Sequence, residues 1–293
     1  MPQSDNMRGA LLMMASMAAF ALNDTFFKSV AGNVPFFQAI LIRGVPTCLL
    51  LALAAWFSGA FKIAIPAADW RTIGLRTFGE MGATICFLIA LFNMPIANVT
   101  AILQTLPLAI TLVGALFFGE TVGWRRYIAI LIGFGGMLLI VRPGAEGFDI
   151  YALLALVAVG FVVIRDLSTR RLSRAIPSMV VALIAAAAIT TMGGIGTLLS
   201  GWEPVALLSV GKLSMASIFI IGGYLLSVMV MRVGEIAVVS PFRYTALIWA
   251  ILLGMIAFSE FPDSLTLLGS AIVVGMGVYT FYRERQVARR LAR

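Results

Sequence analysis

The second half of this 293-residue chain repeats the first half at an offset of about 140 residues. The segment 97–100 (Ala-Asn-Val-Thr) opens a long apolar run, and the segment 237–240 (Ala-Val-Val-Ser) opens another. Each run closes on an acidic residue, Glu120 in the first half and Glu260 in the second. Because both halves are almost wholly apolar, the repeat predicts a doubled membrane unit. Transporters with a central site between two internal repeats have this architecture.

Composition places the whole chain in a membrane. It is 61% hydrophobic and 12% charged, whereas a soluble domain carries about 25% charged residues. The net charge of +8 does not indicate nucleic-acid binding, because the basic residues stand in short loops and in a tail, where they set topology. There is no histidine, which removes imidazole metal sites and His-based catalysis. We therefore expect no metal, no cofactor, no enzymatic activity and no nucleic-acid partner.

Ten apolar stretches are long enough, at about 20 residues, to cross a bilayer as helices. They are apolar on all sides, whereas the strands of a membrane barrel would alternate apolar and polar residues. The sequence therefore predicts an all-α integral membrane protein. The predicted spans are Gly9–Lys28, Pro35–Phe57, Trp70–Phe92, Ile96–Phe118, Trp124–Val141, Ile150–Leu167, Ser178–Leu199, Leu213–Met231, Ile236–Phe258 and Ser264–Tyr282.

Lysine and arginine collect on one side of the predicted membrane. If the N-terminus is cytoplasmic, Lys28, Arg142 and Lys212 fall outside, and the other basic loop residues and the tail fall inside. We therefore predict cytoplasmic termini in a bacterial inner membrane. Five spans per repeat is an odd number, so two repeats with the same pattern must have opposite orientations. The predicted repeats are residues 1–145 and residues 146–293, and the second ends in the basic tail.

Two motifs recur towards the end of each repeat. The segment 117–120 (Phe-Phe-Gly-Glu) precedes the glycine-rich segment 126–140, and the segment 258–260 (Phe-Ser-Glu) precedes the glycine-rich segment 268–277. In this pattern the chain resembles the drug/metabolite transporter superfamily, in its ten-helix EamA-like branch. The resemblance covers the whole chain and implies two inverted five-helix repeats around a central cavity. More narrowly, the chain resembles inner-membrane exporters of aromatic and other neutral amino acids.

Three ionisable residues lie near mid-membrane depth in the predicted spans: Arg43, Glu80 and Arg243. Charges there cost on the order of several kcal/mol unless they are paired or hydrated, so we predict that they line a wet cavity and hold a zwitterion. Pro241 frees a backbone carbonyl near Arg243, and a guanidinium beside an opened helix suits a carboxylate. The alternatives are an ion pair between Arg43 and Glu80, and, for Arg243, snorkelling or a pair with Glu235 or Glu80.

Two acidic residues occupy equivalent places in the two repeats, each with a basic residue four positions later. Asp24 precedes Lys28, and Asp166 precedes Arg170. Inversion puts the first pair near the outer face and the second near the inner face, so they are candidates for gate charges that alternate. The alternative is a surface pair between residues i and i+4, with a contribution of a few tenths of a kcal/mol.

Aromatic residues are plentiful at the depth of the predicted cavity. A lining of this kind suits solutes with apolar or aromatic side chains. The alternative is that these rings face lipid, where phenylalanine is common. The candidates for the lining are Phe20, Phe78, Phe87, Phe161, Tyr224, Phe242, Tyr244 and Trp249.

Glycines recur in the last span of each repeat, at 133–136 and at 269–277. Small residues let helices approach closely, so we predict either packing within the chain or a homodimer contact through spans 5 and 10. The expected partners are thus a small-molecule solute, the lipid bilayer and a second copy of the chain.

The leading function is the export of a small metabolite by alternating access. A channel is the first rival, but the sequence contains no filter-like segment. A membrane-embedded enzyme is the second rival, but no catalytic constellation stands at one depth. Saturable counterflow distinguishes a carrier from a channel.

Overall fold

The computed structural model describes residues 3–62, 65–118, 123–142, 150–173, 175–233 and 236–291. Within these residues, ten helical segments are long and apolar enough to cross a membrane, and no strand occurs. The predicted spans and the all-α membrane class are therefore confirmed. The helices are α1 (Gln3–Lys28), α2 (Phe36–Phe57), α3 (Trp70–Asn93), α4 (Ile96–Leu103), α5 (Leu106–Phe118), α6 (Trp124–Val141), α7 (Ile150–Arg171), α8 (Ser178–Ser200), α9 (Leu207–Val233), α10 (Ile236–Val239), α11 (Thr245–Phe258) and α12 (Ser264–Leu291).

Predicted spans 4 and 9 are each broken within the membrane. In span 4, Gln104 and Thr105 separate α4 from α5, just before Pro107. In span 9, a 3₁₀ turn at Ser240–Tyr244 that contains Pro241 separates α10 from α11. Proline has no N–H for the helix ladder, and membrane proteins tolerate such breaks where neighbouring groups satisfy the freed backbone. Each repeat therefore brings one stretch of polar backbone into the interior.

The two halves of the chain interlock. Helix α1 packs against α9, α3 against α7, α2 against α8, and α6 against α12. The Phe20 ring contacts Gly223, and the Phe161 ring contacts Gly82; both members of the first contact are related to the second by 141 residues (20 to 161, 82 to 223). Exchanging the halves thus converts the α1–α9 contact into the α3–α7 contact, as an inverted duplication requires. The division at residues 145 and 146 stays a prediction.

The Phe20–Gly223 contact leaves no room for a side chain. A Cβ atom at residue 223 would lie 2.8 Å from the Phe20 ring, whereas one at Gly222 would meet nothing within 4 Å. Overpacking of this kind costs about 1–3 kcal/mol, although alanine favours a helix over glycine by about 1 kcal/mol. We expect Gly223→Ala to lower the thermal midpoint in detergent by roughly 2–4 °C. Gly222→Ala is the matched control, and equal midpoints for the two variants would contradict this packing.

The glycines of α6 and α12 bring these two helices together within one chain. A Cβ atom at Gly136 would lie 2.9 Å from the carbonyl oxygen of Gly269. On other faces of the same helices, Gly135 and Gly275 would meet nothing within 4 Å. The predicted packing role is therefore confirmed for the first pair of glycines. The homodimer contact stays a prediction, for which the second pair provides open helix faces.

Candidate functional site

An ion-pair network joins α3 to α7 inside the bundle. Glu80 lies 3.5 Å from the Arg76 guanidinium and 3.2 Å from that of Arg165, and the Nε of Arg165 lies 2.8 Å from Asp166. The helices approach closely because a Cβ atom at Gly79 would lie 2.9 Å from the backbone nitrogen of Arg165. The pair that was predicted between Arg43 and Glu80 is therefore wrong. The i,i+4 spacing of Arg76 and Glu80 was the signal in the sequence for part of this network.

A second charged pair connects α1 with α2. Asp24 interacts electrostatically with Arg43, and it accepts a hydrogen bond of 2.8 Å from the side-chain amide of Asn23. The Arg43 guanidinium lies over the Phe27 ring, 4.6 Å from its centroid. Within the residues that the structure describes, no group forms a hydrogen bond or ion pair with this guanidinium. Its N–H edges are therefore available to a solute, since the ring contacts its face.

Arg243 stands where the two broken spans meet. Its backbone carbonyl accepts a hydrogen bond of 3.3 Å from the side-chain amide of Gln104, which lies at the break in the other repeat. Its guanidinium is attracted by Asp166 and repelled by Arg165, but it has no ion-pair partner among residues 3–62, 65–118, 123–142, 150–173, 175–233 and 236–291. The predicted partner Glu80 is bound elsewhere, and the predicted partner Glu235 lies outside the described residues.

Tyr224 lies between these charged groups. It interacts electrostatically with Glu80, Arg165, Arg76 and Arg43, which belong to three other helices. Although charged side chains surround it, 40% of its surface is accessible. Because charges of this kind face wet interiors and not lipid, this accessible surface marks a water-accessible space at the centre of the bundle. We call the four arginines and three carboxylates around this space the interior cluster; they are Asp24, Arg43, Arg76, Glu80, Arg165, Asp166 and Arg243.

Two aromatic contacts flank the interior cluster at related positions. The Phe20 ring meets the Tyr224 ring edge to face, with 5.4 Å between the centroids. The Phe161 ring meets the Phe78 ring edge to face at 5.7 Å. The structure therefore brings Phe20 and Tyr224 next to the charged groups, as the predicted lining requires. Phe161 lies three to five residues before the charged pair of α7 and belongs to the same wall.

Four further predicted lining residues have other surroundings. Phe87 packs against both large apolar clusters of the core. Phe242 and Tyr244 border a groove of about 420 Å³ between α11 and α12, and Tyr244 is only 5% exposed and contacts Gly277 of α12. The indole N–H of Trp249 is buried without a hydrogen-bond partner in the described part of the chain. Of the four, Trp249 keeps a polar group that a solute could bind.

A cluster at the predicted outer end ties three segments together, and we call it the outer clasp. Lys28 Nζ lies 2.5 Å from a carboxylate oxygen of Glu260 and donates a 2.7 Å hydrogen bond to the carbonyl of Met94. The other carboxylate oxygen of Glu260 accepts a 3.0 Å hydrogen bond from the backbone N–H of Ile96 at the start of α4. An acidic group there also complements the helix dipole. The outer clasp thus joins α1, the turn before α4 and the end of α11.

The predicted i,i+4 pairs do not form. Lys28 reaches Glu260 and not Asp24, because its long side chain lies against the turn after α3. Asp166 binds the neighbouring Arg165, and Arg170 is exposed. The surface-pair alternative is therefore wrong for both acidic residues. Their gating role stays a prediction, and Glu260, which the repeat analysis singled out by its position alone, becomes the acidic partner of Lys28.

A second contact at the outer end is much more exposed. Arg142, after α6, pairs with Asp263, just before α12, and their side chains are 31% and 52% exposed. Burial alone would raise the pKa of Asp263, but hydrogen bonds from the backbone of Thr266 and from Arg142 hold this pKa below its usual value. Exposed pairs contribute about 0–1 kcal/mol, so this contact serves as a reference for the buried clasp.

The amino-acid sequence matches a known family and several named proteins. Residues 7–142 match the EamA-like transporter family. The chain is 23% identical to the S-adenosylmethionine uptake transporter of Rickettsia bellii, over 93% of each chain. It is 25% identical to the pseudopaline exporter of Pseudomonas aeruginosa, over 91% of this chain and 93% of that one. It is 26% identical to the riboflavin transporter of Vibrio cholerae, over 97% and 96%.

The fold matches a protein of known crystal structure. The TM-score is 0.65, the sequence identity is 21%, and the match covers 96% of this chain and 98% of the other. At this identity the likeness extends to the fold alone. It supports the helical architecture described above over nearly the full length of both chains.

Proposed function

We propose, on the premise that the chain belongs to the EamA-like transporter family through its residues 7–142, that it exports amino acids or similar small zwitterions. Its relatives are named as transporters of different solutes, for uptake in one case and for export in another. The amino-acid class is therefore drawn from the interior cluster. The outward direction, and a preference for neutral and aromatic side chains, rest on the resemblance to amino-acid exporters.

The single observation that carries this proposal is the Arg243 guanidinium without an ion-pair partner in the described residues, with Asp166 next in reach. A guanidinium binds a carboxylate through two parallel hydrogen bonds. The carboxylate of Asp166 is in position to attract an ammonium group. The two groups of an amino acid would thus have one partner each, beside a backbone that two helix breaks make polar.

The cycle that we propose is alternating access across a bacterial inner membrane, with both termini cytoplasmic. The outer clasp lies at one end of the bundle and the network of Glu80 with Arg76 and Arg165 lies towards the other. Each ties together helices from both repeats, so each must loosen before its side of the bundle can open. A solute between them would be exposed to one side at a time.

Counterflow in proteoliposomes tests the proposal. Vesicles that hold the purified protein and are loaded with an unlabelled amino acid should accumulate the labelled amino acid from outside and then release it. The uptake should saturate with concentration, because a carrier binds one solute per cycle, whereas a channel would only equilibrate. Empty vesicles are the control. Accumulation that fails for a panel of amino acids, in protein that stays folded by size exclusion, would reject the amino-acid class.

A further inference from the structure

The interior cluster carries more positive than negative charge. Its cations are Arg43, Arg76, Arg165 and Arg243, and its anions are Asp24, Glu80 and Asp166. Arginine keeps its charge in proteins. Four positive charges and three negative ones leave a net charge of +1, and protonation of any carboxylate would increase it.

The positive excess resides on two of the four arginines. Arg76 and Arg165 both lie within 3.5 Å of Glu80. The guanidiniums of Arg43 and Arg243 have no hydrogen bond or ion pair with any group that the structure describes. An uncompensated charge inside a membrane protein is costly. A bound anion therefore stabilises this site, whereas a neutral zwitterion leaves its net charge unchanged.

We infer that the preferred solute carries one net negative charge, as does an amino acid with a second carboxylate. The inference rests on the proposed function and narrows its solute class. The α-carboxylate would bind Arg243 and the ammonium group would face Asp166. The second carboxylate would bind Arg43, whose N–H edges are available because its face lies over the Phe27 ring. This choice departs from the neutral amino acids that the resemblance implies.

Glutamate and glutamine form the matched pair of probes, because they have nearly the same shape and differ by one charge. In counterflow with the wild-type protein at neutral pH, we expect the half-saturating concentration of glutamate to be roughly tenfold lower than that of glutamine. Glutamine that equals or outperforms glutamate would overturn this inference and leave amino-acid export standing. If neither is exchanged while another amino acid is, the inference is overturned and the proposed function still stands. If no amino acid is exchanged, both are overturned.

Two substitutions shift the charge of the cluster in opposite directions. Arg43→Gln removes the positive excess, so the ratio of the glutamine to the glutamate half-saturating concentration should fall to about one. Asp24→Asn adds to the excess, so this ratio should rise. Arg125→Gln, at an exposed cation that lies over Trp124, should leave it at the wild-type value. A merely structural role for Arg43 would change both half-saturating concentrations together and leave the ratio unmoved, which would count against the inference.

Discussion

Arg243→Ala should abolish amino-acid transport while expression and the size-exclusion profile stay close to those of the wild-type protein. The substitution removes a pair of hydrogen bonds to a carboxylate, each with a contribution of about 1.5–3 kcal/mol, so we expect a loss of roughly 10²–10⁴-fold in transport efficiency. Arg243→Lys should restore only part of it, because an ammonium group is a point charge and cannot form the two-pronged contact. Initial rates of counterflow at several solute concentrations measure the effect.

The matched control for Arg243 is Arg125→Ala. Arg125 is an exposed arginine at the beginning of α6, so its removal tests for a general effect of net charge. Normal transport by Arg243→Ala would reject the assignment of Arg243 as the carboxylate-binding residue. Arg43, which lies in the same cluster and also has no ion-pair partner in the described ranges, would then be the next candidate.

Glu260→Gln should open the outer side of the bundle. It removes the charge that holds Lys28 and weakens the hydrogen bond to the backbone of Ile96, so the closed outer side loses about 1–3 kcal/mol. In a background without Cys48 and Cys86, which are the two cysteines of the chain, a cysteine that replaces Tyr224 reports access to the interior. An impermeant maleimide added from outside should label this cysteine roughly tenfold faster in the Glu260→Gln variant.

Two comparisons make the labelling result decisive. Arg142→Gln breaks the exposed pair with Asp263 at the same end and should leave the labelling rate unchanged. In inverted vesicles the reagent reaches the opposite face, where Glu260→Gln should slow labelling, because it favours the outward-open state. Faster labelling from that face would reverse the proposed orientation of the termini. An unchanged rate from both faces would show that the outer clasp does not control access. Neither result depends on knowing the solute.

The spans and their class could be predicted from the sequence because length and hydropathy are properties of single segments. The three mid-membrane charges could be found for the same reason. Their partners could not, because partners depend on how each helix is rotated against its neighbours. Glu80 thus binds Arg165 on α7 and not Arg43, and Lys28 binds Glu260, 232 residues away, and not the nearby Asp24.

The aromatic residues illustrate the same limit. Depth alone placed Phe20 and Tyr244 in one predicted lining. The structure puts the Phe20 ring against Tyr224, beside the interior cluster, and turns Tyr244 towards α12, where it is 5% exposed. Residues at similar depth can face opposite directions, because a helix turns by about 100° per residue. A better prediction would have needed the rotation of the 3₁₀ turn before α11, which a proline break makes irregular.

The hydrogen bond from Gln104 to the carbonyl of Arg243 has a mechanical consequence. Its donor and acceptor belong to the bends of two different spans, one from each half of the molecule. A change of angle at one bend therefore displaces the bonding partner of the other, so the two bends act as linked hinges. Halves that hinged independently could splay at both ends together and let solutes leak down their gradients. A shared hinge couples the opening of one end to the closing of the other.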